Sequence, residues 1–396
     1  MKIALFTETY LPDINGVATH IKILKDGLEK HGHQVLVVKA DADTNKYLTN
    51  DGVLHCPAVT SKKLYNYSLA SPLSIRRLKL LKKYDPDIIH IHNEFGIGLS
   101  GALIARMLRK PLVYTLHTMY DEYLYYIAPR PFVPIVKKVS HTYARLLARN
   151  ANALTGPSKK VEKFFRECGV RKKVNVIPNP VELDIFSPDR IDEDKKVQFR
   201  QKYGIPSDYT VACFCGRLGR EKSVDILLEF WAESVDHRDK LRLLIIGNGP
   251  EKENLERMTK ELGIDDMVVF TGEVPHDDLP PYYAGCDIYI TASLSDTNSI
   301  SMLEGMATGL PVLQLYDELN KDQVIDGITG YSFTDANDMY EKLKILMNQS
   351  EEEKERQRNV VRASVERAND EKFSSYLIDI YEEVIATSRS AKGVKS

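Results

Sequence analysis

Cysteine, tryptophan and long apolar runs are scarce in this sequence, and each scarcity excludes a class of protein. The chain of 396 residues has five cysteines and one tryptophan. The cysteines fit no C-x-x-C or Cys/His ligand spacing, so neither a disulfide framework nor a structural zinc site is expected. No apolar run approaches the ~20 residues that span a bilayer. The opening MKIALFTETY lacks a long apolar core and predicts the first strand of a cytoplasmic protein rather than a signal peptide.

Charge is divided unevenly along the chain. The net charge is −2, yet residues 1–178 hold 28 basic and 14 acidic residues, and the remainder holds 26 basic and 42 acidic ones. This division predicts that the first part meets an anionic surface and that the second part stays away from it. No nucleic-acid recognition motif accompanies the basic residues, so a nucleic-acid partner is not expected.

Apolar runs of strand length alternate with amphipathic helical stretches in two parts of the chain. The first part has predicted strands at 2–8, 34–40, 87–93 and 111–117, with helices at 17–30, 73–84 and 97–109. The second part follows the Pro- and Asn-rich stretch 176–188 and has predicted strands at 209–218, 240–249, 267–273, 286–293 and 311–316. Such alternation predicts parallel sheets, and the near-continuous apolar strands indicate that both sheet faces are covered.

These patterns predict an α/β fold with two doubly wound, Rossmann-like domains at residues 1–178 and 179–371. A helix at 372–387 is expected to pack back on the first domain, and residues 388–396 are expected to be disordered. Ligands of such sheets bind at the carboxyl ends of the strands. The two domains are therefore expected to face each other across a ligand-binding cleft and to close about the 178–188 joint.

Two segments after predicted strands carry groups suited to a phosphorylated ligand. Gly16 stands where a helix begins, and a glycine there lets a phosphate approach backbone N–H groups. Arg217 and Lys222 flank the loop after strand 209–218, where two cations would neutralise a diphosphate without a metal ion. The plain structural alternatives are a glycine that serves turn geometry and a solvated charged loop.

A third segment, residues 295–304, runs from a strand into a helix and holds Asp296 and Glu304 eight residues apart. The N–H groups of Ser299 and Ile300 at the helix start would form a second anion site. Alternatively, Ser295 or Asp296 merely caps the helix and Glu304 pairs with a neighbour.

Two other patterns resemble metal ligands but favour another interpretation. Asp85-Pro86-Asp87 has the D-x-D form, yet it precedes a buried strand and is interpreted as a turn. His90 and His92 alternate at a strand end, where histidines that line the core or the cleft are favoured over metal ligands. No metal site is therefore predicted.

Six pieces of the sequence stand in a telling order: the Gly-Val loop at 16–17, IHIHNEF, LHTMYDEY, GRLGREK, IIGNGP and SDTNSISMLEGMATGLPV. Together they resemble family 4 of the retaining glycosyltransferases, which have the two-Rossmann-domain GT-B fold, and the resemblance extends from Met1 to about Phe333. The TETYLPxxxGV opening with HTMYDEYxxYI is most similar to bacterial diacylglycerol glucosyltransferases and phosphatidylinositol mannosyltransferases.

The resemblance implies how a nucleotide-sugar donor would be held by its phosphates. Gly16 would contact the donor diphosphate from the first domain. Arg217 and Lys222 would hold the diphosphate from the second domain. The N–H groups of Ser299 and Ile300 would donate to the distal phosphate.

The resemblance also implies contacts with the sugars of the donor. His117 would reach the transferred sugar near its reacting carbon, Asp296 would bind its hydroxyls, and Glu304 would bind the nucleotide ribose. The implied catalytic residues are His117, Asp296, Arg217 and Lys222. Asp296 replaces the usual glutamate, which shortens its reach by ~1.3–1.5 Å and bears on the choice of sugar. Ser299 replaces a common glycine, which is expected to restrict the loop.

The segment from Pro131 to Asn150 has the periodicity of a basic amphipathic helix. Its predicted apolar face comprises Phe132, Val136, Val139, Tyr143 and Leu146, and the basic side chains near it include Lys137, Lys138, His141, Arg145 and Arg149. Such a helix is typical of binding to an anionic membrane, at roughly 1 kcal/mol per cation near the lipid. The alternative is a core helix with a solvated basic face. Tyr120, Asp121 and Tyr123 are assigned to the acceptor, although a simple aromatic cluster would explain the tyrosines.

The resemblance therefore implies a retaining, metal-independent hexosyltransferase without a cofactor. Its first candidate donor is UDP-glucose, with GDP-mannose and UDP-galactose left open, and its acceptor is a membrane lipid such as diacylglycerol or a glycosyl-diacylglycerol. The protein is expected in the cytoplasm of a bacterium, peripherally on the inner face of the plasma membrane. The alternatives are a soluble or cell-envelope polysaccharide acceptor, a nucleotide-sugar epimerase, or a non-catalytic partner subunit of the same fold.

Overall fold

The computed structural model describes residues 1–13, 15–61, 67–118, 121, 130–190 and 193–393. The chain divides into two compact units, one formed by Met1–Asn179 with Asp370–Ser396 and the other by Pro180–Asn369. Each unit has its own mainly parallel sheet. Among the described residues, no helix is both long enough and apolar enough to cross a membrane.

Among the described residues, the sheet of the first unit has nine strands, of which most pair in parallel. They are β1 (Lys2–Thr7), β2 (Gln34–Asp41), β3 (Leu48–Asn50), β4 (Val53–Ser61), β5 (Tyr67–Ala70), β6 (Ile88–Ile91), β7 (Leu112–Thr115), β8 (Ala153–Gly156) and β9 (Val174–Val176). Their order is β3-β4-β2-β1-β6-β7-β8-β9, with β5 also paired to β4, and only β3 and β5 run antiparallel to their neighbour. The described helices between them are α1 (Gly16–Lys30), α2 (Ile75–Tyr84), α3 (Gly96–Leu108), α4 (Val133–Asn150) and α5 (Lys159–Glu167).

The two faces of this sheet explain why its strands read as continuous apolar runs. Successive side chains of a strand point to opposite faces. Ile3 and Leu5 of β1 are fully buried in a cluster with residues of α1, whereas Ala4 and Phe6 are fully buried on the other face with residues of α3. Both faces are therefore covered, as expected for a parallel sheet.

The second unit repeats this architecture with an all-parallel sheet. Its strands are β10 (Thr210–Cys215), β11 (Leu241–Ile246), β12 (Val268–Gly272), β13 (Ile288–Thr291), β14 (Val312–Leu315) and β15 (Gly330–Phe333), in the order β12-β11-β10-β13-β14-β15. The described helices are α6 (Glu193–Lys202), α7 (Val224–Ser234), α8 (Lys252–Glu261), α9 (Pro280–Ala284), α10 (Ile300–Ala307), α11 (Ala336–Met347) and α12 (Glu351–Ser364). Cys213 and Cys215 are buried on one face of β10, and all five cysteines are buried free thiols.

The last helix, α13 (Asp370–Gly393), returns to the first unit. Phe373, Leu377 and Tyr381 are buried in the same cluster as Ile3 and Leu5. The expectation of disorder was wrong for residues 388–393, because the helix continues to Gly393; residues 394–396 lie outside the described residues. A docked apolar face nucleates the helix, and each further residue then adds a hydrogen bond at little cost.

Candidate functional site

The strand order of the second unit reverses beside β10. From β10 the chain first adds β11 and β12 on one side of the sheet and later adds β13 on the other. The loops that leave two neighbouring parallel strands diverge at such a point, and a crevice opens at their carboxyl ends. The loop after β10 carries Arg217 and Lys222, and the loop after β13 carries Asp296. The fold therefore brings these three residues to one switch point.

Arg217 is held by a carboxylate that sequence reasoning did not identify. Its Nη2 donates to Oε1 of Glu221 at 2.5 Å. The Glu221 side chain is fully buried, whereas 27% of the Arg217 side chain remains exposed. Because a guanidinium has five donors in a rigid plane, one buried partner fixes its direction and leaves capacity for a ligand.

The loop after β11 packs directly on the loop after β10. Gly247 has a φ of +138°, and a Cβ atom at this position would lie 2.0 Å from the carbonyl oxygen of Gly216. Only glycine allows such an approach in this backbone conformation. The IIGNGP motif therefore supports the shape of the loop that holds Arg217.

An ion pair joins the two loops at the switch point. Lys222 Nζ lies 2.5 Å from Asp296 Oδ1, and the two side chains are 19% and 24% exposed. The backbone around Asp296 is fixed by two amides, since Asn320 Nδ2 donates to the Asp296 carbonyl at 2.6 Å and Gln323 Nε2 donates to the Thr297 carbonyl at 2.9 Å. Asp296 is thus positioned before any ligand binds.

Ser299 is the N-cap of α10, where its side chain accepts a hydrogen bond from Met302 N at 3.3 Å. The alternative that Ser295 or Asp296 caps this helix was therefore wrong. Ser299 has a φ of −69°, which every residue adopts, so the expected restriction by serine in place of glycine does not arise. Ile300 is the first helical residue, and N–H groups of a first turn have no partner within their own helix.

Glu304 is buried, and both of its carboxylate oxygens have a partner. Tyr283 donates its hydroxyl to Oε2 at 3.0 Å, and His276 Nε2 lies 3.2 Å from Oε1. Burial lowers the pKa of His276, but its hydrogen bond to Glu304 and the charges of Glu304 and Glu182 outweigh this, so the pKa is raised above its ordinary value. Glu304 therefore pairs with neighbours, as the structural alternative predicted. These contacts fix the orientation of its carboxylate.

The first unit has the same kind of switch point between β1 and β6. Gly16 begins α1, and Asn15 caps this helix by accepting a hydrogen bond from Ala18 N at 3.0 Å. The loop after β1 therefore ends in a helix start whose first residue has no side chain. Ile14 in this loop lies outside the described residues.

His117 follows β7 and lies among other histidines. Its Nε2 is 3.1 Å from Nδ1 of His92, and its ring is 4.4 Å from the ring of His20. Burial, together with the charges that His20 and His90 would carry, lowers the pKa of His117 well below its ordinary value. His117 is therefore a neutral imidazole at pH 7.

The two carboxylates of the D-x-D pattern have local roles. Asp85 ends α2 in a left-handed conformation with a φ of +54°, and its side chain lies 2.7 Å from Lys110 Nζ. Asp87 accepts a hydrogen bond from Lys2 N at 2.8 Å. This geometry matches the interpretation of the motif as a turn.

Among the residues assigned to the acceptor, Tyr120 and Tyr123 lie outside the described residues. Asp121 is described and pairs with α4: its Oδ2 lies 2.9 Å from Lys137 Nζ and 3.0 Å from His141 Nε2. Lys137 and His141 thus lie on the side of α4 that faces Asp121.

The predicted apolar face of α4 is only partly buried: Tyr143 packs against the core and Val136 is half-buried. The residues of α4 that the core buries are Ala144, Leu147 and Ala148, which the prediction did not include. A separate apolar stripe is exposed to solvent and comprises Phe132, Ile135, Val139 and Leu146, whose side chains are 51–63% exposed. Spacings of three, four and seven residues align the members of this stripe along one line of the helix. Lys138 and Arg149 are exposed beside it, and Arg145 is half-buried.

Comparison with known proteins identifies the family of this chain. Residues 14–185 match the family model described as Glycosyltransferase Family 4, and residues 195–364 match the model of group 1 glycosyl transferases. An alpha-monoglucosyldiacylglycerol synthase of Streptococcus pneumoniae is 33% identical over 315 residues, which cover 79% of this chain and 70% of that protein. The chain belongs to this glycosyltransferase family. A second alpha-monoglucosyldiacylglycerol synthase, from Acholeplasma laidlawii, is 29% identical over 87% of each chain.

The fold of the glycosyltransferase is also known from solved structures. The Anabaena protein HepE, crystallised in complex with UDP and glucose, aligns with a TM-score of 0.76 at 18% identity, over 97% of this chain and all of that chain. This confirms the predicted fold class, an α/β protein with two parallel-sheet domains of the GT-B type. The family membership makes the protein an enzyme, a hexosyltransferase, as predicted from the sequence.

Three residues of the candidate site were not identified from the sequence. Glu221 lies beside Lys222 within GRLGREK and was treated as part of a charged loop. His276 follows β12, whose carboxyl end lies at the same sheet edge as those of β10 and β13, and this position was the available signal. Tyr283 on α9 gave none, because an aromatic residue at that spacing is indistinguishable from a core residue.

Proposed function

We propose that the enzyme transfers a hexose, with glucose as first candidate, from a nucleoside-diphosphate sugar to a membrane lipid such as diacylglycerol or a glycosyl-diacylglycerol. The transfer retains the anomeric configuration and needs no metal ion. The enzyme works on the inner face of the plasma membrane, to which it binds peripherally through its first unit.

The observation that carries this proposal is the exposed apolar stripe on α4. Water opposes the exposure of four large apolar side chains along one line, and full burial of one such side chain stabilises by about 1.5–3 kcal/mol. The exposed cations Lys138 and Arg149 lie beside the stripe, where each would add roughly 1 kcal/mol near anionic lipid. An apolar stripe flanked by cations matches the chemistry of a membrane interface.

The relatives support the same acceptor and donor. Two of them carry the name alpha-monoglucosyldiacylglycerol synthase, at 33% and 29% identity over most of this chain. Their shared name favours a glucosylated diacylglycerol lipid as substrate or product here. The UDP and glucose bound to HepE favour UDP-glucose as the donor.

The second unit supplies the groups that would stabilise the leaving diphosphate. Arg217, fixed by buried Glu221, and Lys222 are cations on one loop of the switch point. The start of α10 adds N–H groups from Ser299 and Ile300. Charge that develops on the departing phosphate would meet donors that need no reorganisation, and such preorganised donors contribute most to many enzymatic rates.

The remaining residues would orient the two sugars of the donor. Asp296, held by Lys222 and Asn320, is assigned to the hydroxyls of the transferred hexose. Glu304, oriented by His276 and Tyr283, is assigned to the ribose. We assign Gly16 to the diphosphate and neutral His117 to the reacting end of the hexose. The acceptor hydroxyl would then attack on the face from which the phosphate departs.

Charge reversal on α4 tests the membrane part of this proposal. In the test variant, Lys138, Arg145 and Arg149 are changed to Glu. In the matched control, three exposed cations of the second unit, Lys195, Arg356 and Arg367, are changed in the same way. Sedimentation with vesicles of anionic or neutral lipid measures binding, and transfer to a lipid acceptor measures activity.

The test variant is expected to lose binding to anionic vesicles and transfer to lipid, while the control keeps both. Binding by the unchanged enzyme is expected to fall with salt, because exposed charges are screened over ~8–10 Å near physiological ionic strength. Slow hydrolysis of the donor should persist in the test variant, since the diphosphate groups lie in the other unit. Full lipid activity in the test variant, or equal binding of the unchanged enzyme to neutral and anionic vesicles, would show that these cations do not dock the enzyme on the membrane.

A further inference from the structure

Three histidines of the first unit converge on one point. His20 lies on α1, His92 follows β6 and His117 follows β7. One ring nitrogen from each lies within 4.8 Å of the others, and both His20 and His92 are buried. Three imidazoles thus converge, two of them buried, with no carboxylate in the group.

Hydrogen bonds decide which of the nearby histidines has a nitrogen to offer. The His20 Nδ1 atom lies 3.0 Å from the side-chain oxygen of Asn179. An amide oxygen only accepts, so Nδ1 carries the proton and Nε2 keeps its lone pair. This Nε2 is buried and has no hydrogen-bond partner among the described residues.

His90 differs from the three converging histidines in this respect. Its two ring nitrogens each lie 2.6 Å from a hydroxyl oxygen, that of Tyr381 and that of Thr115. It therefore has no nitrogen left for a further ligand. The Nε2 of His92 is also buried without a hydrogen-bond partner among the described residues. Its Nδ1 lies 3.1 Å from His117 Nε2, and a metal ion bound by these two nitrogens would replace the proton that they share.

The spacing of the nitrogens matches the edge of a tetrahedral metal site. Imidazole nitrogens bind zinc at about 2.0–2.1 Å, so two such ligands in a tetrahedron lie about 3.3 Å apart. The observed distance between His92 Nδ1 and His117 Nε2 is 3.1 Å. No two nitrogens of the set lie more than 4.8 Å apart, so a side-chain movement of at most about 1.5 Å would complete the triangle.

A small cavity of about 10 Å³, close to the space that one water molecule needs, borders His20 and is also lined by Thr115, Thr155 and Phe373. A water molecule there would be the fourth ligand. The Asn179 side chain would hold the far nitrogen of His20, as outer hydrogen-bond partners do for histidines that bind metals.

We propose that His20, His92 and His117 bind one divalent transition-metal ion, with Zn²⁺ as the first candidate. Three imidazoles and a water suit Zn²⁺, and they also suit Co²⁺ and Ni²⁺. The ion would occupy the His117 nitrogen, so it inhibits the enzyme rather than serving it. This consequence for turnover rests on the proposed function of His117, whereas the metal site itself does not.

Metal titration of the full-length enzyme, first freed of metal with EDTA, tests the site. Calorimetry with Zn²⁺ is expected to give one equivalent per chain, and Co²⁺ is expected to give the visible absorption of a tetrahedral nitrogen site. His20→Gln and His92→Gln should each weaken binding at least tenfold. Asn179→Ala keeps all three imidazoles and should weaken binding by about 10–100-fold. His237→Gln, an exposed histidine of the second unit paired with Asp266, is the matched control and should bind as the unchanged enzyme does.

Each outcome bears on the proposal. Failure of the unchanged enzyme to bind Zn²⁺ or Co²⁺, unchanged affinity in both glutamine variants, or thiolate charge-transfer bands in the Co²⁺ spectrum would overturn it. Thermal unfolding of each variant without metal shows whether lost affinity reflects lost folding, and Asn179→Ala gives an independent reading. If the variants lose the metal yet Zn²⁺ does not slow donor turnover, the site stands and the role assigned to His117 falls.

Discussion

Replacing Lys222 with alanine separates catalysis from stability more cleanly than any other change in the donor site. The lysine is assigned to the developing charge of the diphosphate, and removal of one such preorganised donor costs about 2–4 kcal/mol of transition-state stabilisation. At 1.36 kcal/mol per factor of ten, this predicts a fall in kcat/KM of about 30- to 900-fold. Its partner Asp296 is 24% exposed, so water can reach the carboxylate that remains, and the loss of Lys222 should cost less folding free energy than a break in a fully buried pair.

Arg217 offers a poorer test because its partner is fully buried. Arg217→Ala would remove the cation beside the buried Glu221 carboxylate, and breaking a buried pair in this way destabilises by about 3–5 kcal/mol. The double variant Arg217→Ala with Glu221→Gln removes this complication. Arg220→Ala is the matched control for Lys222, because Arg220 is a cation of the same loop that pairs with Glu251 and is 65% exposed.

The assay is transfer from UDP-glucose at several donor concentrations, with thermal unfolding measured in parallel. Lys222→Ala should lose activity at a nearly unchanged unfolding temperature, and Arg220→Ala should keep both. If Lys222→Ala retains kcat/KM within threefold of the unchanged enzyme, the diphosphate does not rest on this loop.

Further predictions address metal dependence, sugar choice and pH. Turnover should survive exhaustive EDTA treatment, because Arg217, Lys222 and helix starts hold the phosphates, and a loss that Mg²⁺ or Mn²⁺ restores would contradict this. Asp296→Glu should change the preference among donor sugars more than it changes nucleotide affinity, and competition assays with UDP-hexoses and UDP alone would show the reverse if the acid does not face the sugar. The pKa of His276 is raised by Glu304, so its contribution to stability is complete below pH ~6.5 and is lost as pH rises through the higher folded value. In His276→Gln, the unfolding temperature should therefore decrease less steeply above neutral pH. An unchanged pH profile would show that the His276–Glu304 pair does not contribute to stability.

The parallel strands were predictable from the sequence because they are apolar on both faces, and each face packs in a core. In β10, Cys213 lies on one face and Phe214 on the other, and both are buried, which only a covered sheet allows. The strands β3, β4 and β5 were missed, since β4 contains Pro57, β3 and β5 are short, and β3 is exposed. The helix α12 was missed too, although its capping box of Ser350 and Glu353 is visible in the sequence.

The sequence predicted the site residues that follow the end of a strand. It did not predict the residues that hold them in place. Arg217 and Asp296 follow strands, so the topology alone brings them together. Their supports, Glu221 and Asn320, depend on loop conformations that no periodicity encodes. The exposed stripe of α4 was only partly predicted. Helical periodicity shows which apolar residues share a face, but it does not show which of them the core buries.

The most direct test of the central claim is the product of a defined reaction. Purified enzyme is incubated with radiolabelled UDP-glucose and vesicles of anionic phospholipid, with diacylglycerol, glucosyl-diacylglycerol or neither as acceptor, and the lipids are separated and identified by mass spectrometry. The proposed function predicts a radiolabelled lipid product that is one hexose heavier than the acceptor supplied, with the new linkage in the α configuration of the donor. Label that stays in water-soluble products with both lipids present, while a soluble saccharide is glycosylated, would contradict it.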